Sequence, residues 1–200
     1  MIPFLSRSLL ARSVAAALLG AAGALGLAPL GLWPVTVLAL ACLPALLTAG
    51  PRPGQAFFSG WLFGTGYFAL ALVWIVEPFM VDVARHGWMA PFALVFLSAG
   101  LAIFWGIAFW GARKLSANRV WPLILCWSVA ELVRAYIFTG FPWAMPSQAF
   151  VDKFAGQGLA WIGPYGLTLY VVAFAVLLAM RPQKKVIDVL RYAVLLVAIM

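Results

Sequence analysis

The sequence "WMAPFALVFLSAGLAIFWGIAFWGA", residues 88–112, decides the fold class because no charged side chain interrupts it. A helix needs about 20 apolar residues to cross the hydrocarbon layer of a bilayer, and this segment is longer than that. The composition of the whole chain agrees, since 66% of its 200 residues are hydrophobic and 9% are charged. So little polar surface cannot cover a water-facing globule. The sequence therefore predicts an all-α, polytopic membrane helical bundle.

The intervals between charged residues predict six complete transmembrane helices and the start of a seventh. The complete spans lie near 12–29, 32–50, 54–76, 88–112, 120–138 and 162–180, and a further apolar segment at 189–200 is expected to be cut short. The first two form a hairpin around "GLAPLGLWP" at 26–34. A secretory signal peptide is the alternative for the N-terminus, because a basic start precedes an apolar stretch with small residues.

The basic residues predict the orientation of the chain in the membrane. The formal net charge is +8, and basic residues of membrane proteins collect in cytoplasmic loops. A cytoplasmic N-terminus places most of them on the inner side: Arg7, Arg12, Arg52, Arg113, Lys114, Arg119, Arg181, Lys184, Lys185 and Arg191. The longer connections, 77–88 and 139–162, then face outward. The positive charge is thus explained by topology, and no nucleic-acid partner is expected.

The glycines of the third predicted span favour a close helix crossing. Gly60 and Gly64 in "SGWLFGTGYF" have the GxxxG spacing, and Gly66 follows them. Small residues at this spacing let two helix backbones approach each other in a membrane. We therefore expect this helix to lie against a neighbour along its glycine face.

The sequence contains no complete catalytic or metal-binding constellation. Cys42 and Cys126 lie in apolar segments without a nearby activating group, which favours small buried hydrophobes over reactive thiols. His86 is the only histidine, and with Asp82 alone it makes a poor metal site. We expect no metal, no cofactor and no catalytic residue in this chain.

Two charges in the fifth predicted span are the strongest functional signal from the residues themselves. Glu131 and Arg134 are three positions apart on one helical face, at a depth where a lone charge costs about 2.5–3.5 kcal/mol. Either they form an internal pair that locks neighbouring helices, or they border a cavity and contact a substrate. Phe141, Pro142 and Trp143 follow at a corner that Pro142 keeps non-helical.

Three stretches carry a family resemblance: "FFSGWLFGTGYFALALVWI" at 57–75, "ELVRAYIFTGFPWAMPSQAF" at 131–150 and "IGPYGLTLY" at 162–170. They resemble the membrane domain of bacterial apolipoprotein N-acyltransferases. The resemblance departs from the family pattern near Ser147 and Gln148, where a glycine and an aromatic residue are often found.

The resemblance implies transfer of an acyl chain from a phospholipid to the α-amino group of the N-terminal diacylglyceryl-cysteine of a lipoprotein. It further implies a monomer in the bacterial inner membrane with its active side in the periplasm. The family's catalytic cysteine, with its Glu and Lys, belongs to a nitrilase-like domain expected after residue 200, so the chain alone is expected to be inactive. Lipid-binding residues implied here are Trp143, Phe141, Pro142, Arg134, Glu131 and Trp74.

Two other functions are compatible with the residues. A small transporter or channel could use Glu131 and Arg134 at the bilayer midplane, although the two halves of the chain show no internal repeat. A scaffold could dock partner helices through its glycines, but such a protein has no need for the buried charges.

Overall fold

The structure is a computed structural model that describes residues 9–137 and 141–180. Across these residues every regular element is helical and no strand occurs, which confirms the all-α prediction. The α-helices are α1 (Leu9–Ala24), α2 (Trp33–Ala41), α3 (Leu43–Ala49), α4 (Pro53–Ala71), α5 (Val83–His86), α6 (Ala90–Leu115), α7 (Pro122–Tyr136) and α8 (Leu159–Ala179). Short 3-10 helices lie at Val73–Met80, Gly87–Met89, Pro146–Phe150 and Phe154–Gly158.

The long helices form a closed ring. Helix α4 packs against α1 on one side and α6 on the other, α6 packs against α7, and α7 against α8. Helix α8 then contacts α2, and α2 returns to α1. Large buried side chains fill the interior of the ring, among them Trp105, Trp127, Phe63 and Phe68. An aromatic core therefore holds the helices together.

The predicted close crossing of the glycine-bearing helix is confirmed. A Cβ added at Gly60 would lie 2.6 Å from the Phe109 ring and 2.8 Å from the Trp105 carbonyl oxygen, both on α6. One added at Gly64 would lie 2.9 Å from Ala102 on the same helix. These positions leave no room for a side chain, so glycine is what brings α4 and α6 together.

Six complete transmembrane spans are not confirmed. Among residues 9–137 and 141–180, two helical segments are long and apolar enough to cross a membrane, Val83–Leu115 and Phe154–Ala179. A third qualifies if Pro53–Ala71 and Val73–Met80, which bend by 47°, count as one span. The segments Leu10–Ala24 and Trp33–Ala49 are apolar but shorter. The predicted seventh segment, 189–200, lies outside the described residues.

Helix interruptions explain part of this difference. The predicted span 32–50 divides into α2 and α3 at Cys42, two residues before Pro44. Proline has no N–H to donate and its ring collides with the preceding turn, so α3 begins anew around it. Helix α8 also bends, although its segment remains long enough to cross: Gly163 has a φ of 65° directly before Pro164, a conformation that glycine adopts readily. Composition predicts where apolar segments lie, while proline and glycine decide where they bend.

The sequence analysis assigned Arg113 only to the basic residues that set the orientation in the membrane. The structure gives it a structural role as well. Its side chain is 8% exposed. It donates hydrogen bonds to the carbonyl oxygens of Leu47 (2.6 Å) and Gly50 (3.1 Å) at the end of α3, and to that of Ala117. The last carbonyls of a helix lack partners within it, and a cation placed there satisfies them. Arg113 therefore ties α6 to the end of α3.

A tryptophan-lined cleft at one end of the helix ring

Glu131 and Arg134 form a buried ion pair inside the ring. Glu131 Oε2 lies 2.6 Å from an Arg134 guanidinium nitrogen, and each side chain is 1% exposed. Glu131 Oε1 accepts a second hydrogen bond, from Trp105 Nε1 of α6, at 2.6 Å. Both carboxylate oxygens therefore have donors. Such pairing offsets much of the cost of holding the charges in an apolar surrounding.

Arg134 also connects the ion pair to the corner after α7. One of its terminal nitrogens donates to the carbonyl oxygens of Phe141 (2.8 Å) and Trp143 (3.0 Å). Its guanidinium lies 5.3 Å from the centroid of the Phe68 ring on α4, within the range of a cation–π contact. The planar fork of arginine suits such multiple contacts better than the ammonium of lysine. Arg134 thus holds the backbone of the corner against the core.

The corner itself has an unusual backbone. Residues 141–143 are non-helical, as Pro142 predicts, and Ala144 has a φ of 58°, which residues other than glycine rarely adopt. Ala144 is buried, while the neighbouring Trp143 is 55% exposed. Gln148 donates from Nε2 to the Pro142 carbonyl at 3.2 Å. Hydrogen bonds from Arg134 and Gln148 hold the carbonyl groups of the corner, and they stabilise its strained backbone conformation. The Trp143 side chain therefore points away from the core.

Trp143 lies next to Trp74, which follows the end of α4. The two ring centroids are 5.9 Å apart with the planes tilted by 60°, a favourable geometry for aromatic side chains. Trp74 is 49% exposed, so the pair forms an apolar rim instead of joining the core. The two predicted site residues are therefore neighbours, although 69 positions of sequence separate them.

The tryptophan pair borders a cleft of about 410 Å³. Its walls come from the α1–α2 connection, the end of α4 and the segment after the corner: Gly26, Leu27, Ala28, Pro29, Gly31, Ala71, Leu72, Trp74, Trp143, Ala144, Gln148, Ala149, Val151, Asp152 and Lys153. This volume is typical of ligand pockets, and the lining is mainly apolar. We name it the outer cleft, and the described residues of its lining include no cysteine or histidine. Its chemistry is suited to holding an apolar chain.

Among the described residues that line the outer cleft, Asp152 and Lys153 carry the charged side chains. Both are exposed. An apolar floor with a charged rim matches a ligand that has an apolar tail and a polar head.

The six predicted site residues fall into three groups. Trp74 and Trp143 line the outer cleft. Arg134 contacts its rim through the Trp143 carbonyl, and Glu131 acts one step further away by pairing with Arg134. Phe141 and Pro142 contribute backbone oxygens that accept hydrogen bonds. Of the two roles left open for the charges, the geometry is that of an internal pair.

Trp105 is a member of the charged network that sequence reasoning did not identify. It lies 26 positions before Glu131 on another helix, so no local pattern connects them. Its ring is 4.3 Å from that of Trp127 and 4.7 Å from that of Phe68, measured between centroids. A buried indole N–H usually has a hydrogen-bond acceptor. The buried carboxylate of Glu131 was therefore the one feature of the sequence that could have indicated a donor from another helix. Within the described part of the chain, no group of three or more potential metal ligands occurs.

Comparison with known proteins gives one consistent result. The family model described as "Apolipoprotein N-acyltransferase N-terminal domain" matches residues 19–177. Curated proteins named apolipoprotein N-acyltransferase are similar to the chain: that of Caulobacter vibrioides is 42% identical over 163 residues, covering 78% of this chain and 31% of the relative. That of Rhodopseudomonas palustris is 36% identical over 171 residues, covering 81% and 32%. That of Nitrosomonas europaea is 37% identical over 178 residues, covering 84% and 35%. The chain thus spans about a third of the length of these relatives.

Proposed function

We propose, for a chain that belongs to the apolipoprotein N-acyltransferase family through its N-terminal domain, that the outer cleft holds acyl chains of the lipid substrates. The observation that carries this proposal is the juxtaposition of Trp74 and Trp143 over a largely apolar cleft of about 410 Å³. The donor is a phospholipid, and the acceptor is the α-amino group of the diacylglyceryl-cysteine at a lipoprotein's N-terminus.

The physical reason for such a cleft is the cost of removing lipid tails from hydrocarbon. Each CH₂ group brought into water costs about 0.8 kcal/mol, so a site that exposed whole chains would be inaccessible to both substrates. A cleft at the end of a membrane helix ring lets the tails stay in an apolar surrounding. Trp74 and Trp143 suit this boundary because their rings favour the interface between hydrocarbon and water.

In this proposal Arg134 and Glu131 are positioning residues. Arg134 holds the carbonyl oxygens of Phe141 and Trp143, which sets the direction of the Trp143 ring. Glu131 keeps Arg134 in place through the ion pair, and Trp105 keeps Glu131 in place. The charges therefore act on the substrate only through the corner.

The membrane arrangement and the source of the chemistry are also part of the proposal. The end with Arg12, Arg52 and Arg113 faces the cytoplasm, and the outer cleft faces the periplasm. The reactive thiol, with its Glu and Lys, belongs to a nitrilase-like domain of the complete protein, which follows residue 200. The thiolate attacks an ester carbonyl of the phospholipid, so that a thioester forms and a lysophospholipid leaves. The acceptor amine then attacks the thioester, which forms an amide and releases the thiol with the proton of the amine. The 200 residues alone should transfer no acyl group.

The test is Trp143→Ala in the complete protein, with Trp121→Ala as the matched control. Trp121 is 47% exposed and lies at the start of α7, at the opposite end of the ring from Trp143. Losing one aromatic contact weakens the binding affinity by at most about tenfold. We therefore expect Trp143→Ala to lower kcat/KM for a reporter lipopeptide by up to that factor. Membrane insertion should be unchanged in both variants. Equal activity of the two variants would refute a role of Trp143 in the site.

The alternative of a transporter or channel finds no support in the surroundings of the charged pair. Glu131 and Arg134 are closed off from solvent, and the described contacts use both carboxylate oxygens. A solute path would need these groups to exchange their partners. No specific observation favours that exchange.

A further inference from the structure

A second groove lies at the other end of the ring, between α1 and the start of α4. It has a volume of about 360 Å³. Its lining combines four polar or charged residues with two apolar ones: Arg12, Ser13, Gln55, Phe58, Ser59 and Leu62. This inner groove is separate from the outer cleft and shares no residue with it. It plays no part in the function proposed above.

The inner groove contains a cation that no described carboxylate balances. The whole sequence has five acidic residues, which are Glu77, Asp82, Glu131, Asp152 and Asp188. The first two follow α4 and Asp152 lines the outer cleft, so all three belong to the opposite end of the ring. Glu131 is paired in the core, and Asp188 lies outside the described residues. Among the described residues, the anion that would complement Arg12 therefore does not come from this chain.

Polar and apolar side chains lie side by side in the part of the inner groove that α4 lines. Gln55, Phe58, Ser59 and Leu62 share one helical face, because they are spaced by three and four positions. The rise from Gln55 to Leu62 is about 10 Å at 1.5 Å per residue. Phe58, which is 58% exposed, and Leu62 are four positions apart and form an apolar strip that runs from the end of the helix towards the middle of the ring. A lipid has a polar head at one end and an apolar tail, and the strip can accommodate the tail.

Gln55 adds a hydrogen-bond donor to the lining of the inner groove. Its Oε1 accepts from the backbone N–H of Arg52 at 3.4 Å, which directs the oxygen towards the start of α4. The amide Nε2 is then the donor that remains, and the hydroxyl of Ser13 and the guanidinium of Arg12 belong to the same lining. Three donor groups around one groove form a site for a phosphate oxygen.

We propose that the inner groove binds an anionic phospholipid of the inner leaflet. Arg12 pairs with the phosphate, Ser13 and Gln55 donate to its oxygens, and one acyl chain runs along Phe58 and Leu62. The occupant is a lipid and not a soluble phosphate, because half of the wall along α4 is apolar and faces the hydrocarbon. Basic residues near a membrane surface attract anionic head groups in this way.

The experiment is native mass spectrometry of the complete protein, purified from nanodiscs that contain phosphatidylglycerol and phosphatidylcholine in equal amounts. Besides phospholipid held in the outer cleft, which all variants share, we expect one further retained phosphatidylglycerol, with about fivefold lower retention in Arg12→Gln, the factor for one basic residue near an anionic surface. The matched control is Arg119→Gln, which removes an exposed basic residue outside the groove and should retain the lipid. Leu62→Trp keeps the charge but fills the groove, and it should lose the lipid as well.

Only variants with unchanged thermal unfolding are compared, so that loss of lipid is not loss of fold. Equal retention in Arg12→Gln and Arg119→Gln would overturn the proposal, as would unchanged retention in Leu62→Trp. Displacement of the lipid by inorganic phosphate would overturn the assignment to a lipid. Equal retention of phosphatidylcholine would overturn the assignment to an anionic head group.

Discussion

Neutralising Glu131 should restore part of the stability that is lost when Arg134 is removed. In the structure the carboxylate has two partners, the Arg134 guanidinium at 2.6 Å and the Trp105 indole at 2.6 Å. Arg134→Met leaves a charged carboxylate in the core with only the indole as donor. Glu131→Gln in that background removes the charge and keeps an oxygen that accepts from Trp105.

The magnitudes follow from the burial of both groups. Breaking a buried ion pair from one side costs about 3–5 kcal/mol, because an uncompensated charge remains, and this is the expected cost of Arg134→Met. Neutralising the stranded Glu131 should return about 1–3 kcal/mol, the usual penalty of an unsatisfied buried group. In the wild-type chain the same Glu131→Gln change should instead be destabilising, since Arg134 then loses its counter-charge. The sign of its effect therefore depends on the background.

The assay is a double-mutant cycle on the free energy of unfolding in detergent micelles, followed by tryptophan emission. Trp105 and Trp127 are fully buried near the pair and report on the core. Acyl transfer by the double variant of the complete protein should stay low, because the carbonyls of Phe141 and Trp143 still lack Arg134. If Glu131→Gln changes stability by the same amount with and without Arg134, the two side chains are not coupled and our account of the network is wrong.

Further predictions concern helix contacts elsewhere in the ring. Gly60→Ala should destabilise the protein by about 1–3 kcal/mol, because its Cβ would lie 2.6 Å from a Phe109 ring carbon. Gly54→Ala, on the same helix with no atom within 4 Å of the added Cβ, should be neutral or stabilising, and equal thermal shifts for both would contradict the crossing. Arg113→Met should cost about 3 kcal/mol in unfolding free energy, because the carbonyls at the end of α3 lose a charged donor. Lys114→Met, which changes an exposed neighbour, is its control and should shift the thermal midpoint much less.

The positions of the helices follow largely from where the sequence lacks charges. The segment predicted at 88–112 is helical as α6, Ala90–Leu115, and the predicted 162–180 lies within α8 except for its last residue. The ends are less well predicted: the predicted span 12–29 is helical from Leu9 to Ala24, and α7 ends at Tyr136 instead of at residue 138. A helix surrounded by lipid and core is apolar on all sides, so its sequence has little periodicity that would mark its ends.

The sequence pointed to two residues that line the outer cleft, Trp74 and Trp143, but not to the rest of its lining or to its arrangement. The spacing of Glu131 and Arg134 predicts that they can pair, and Pro142 predicts the corner. Two contacts depend on how α4, α6 and α7 pack. One is the hydrogen bond from Trp105 to the buried pair, and the other is the contact of Trp143 with Trp74. Those contacts join residues far apart in sequence, which no local pattern specifies.

The most direct test of the central claim is cross-linking of the complete protein with a phospholipid that carries a photoreactive group in its acyl chain. Peptide mapping then identifies the attached residues. We predict that cross-links concentrate on the lining of the outer cleft, at residues 71–74 and 143–151, and that Trp143→Ala lowers their yield. Cross-links spread evenly over the exposed apolar faces, such as Leu125 and Val129 on α7, with none enriched in the cleft, would contradict the account.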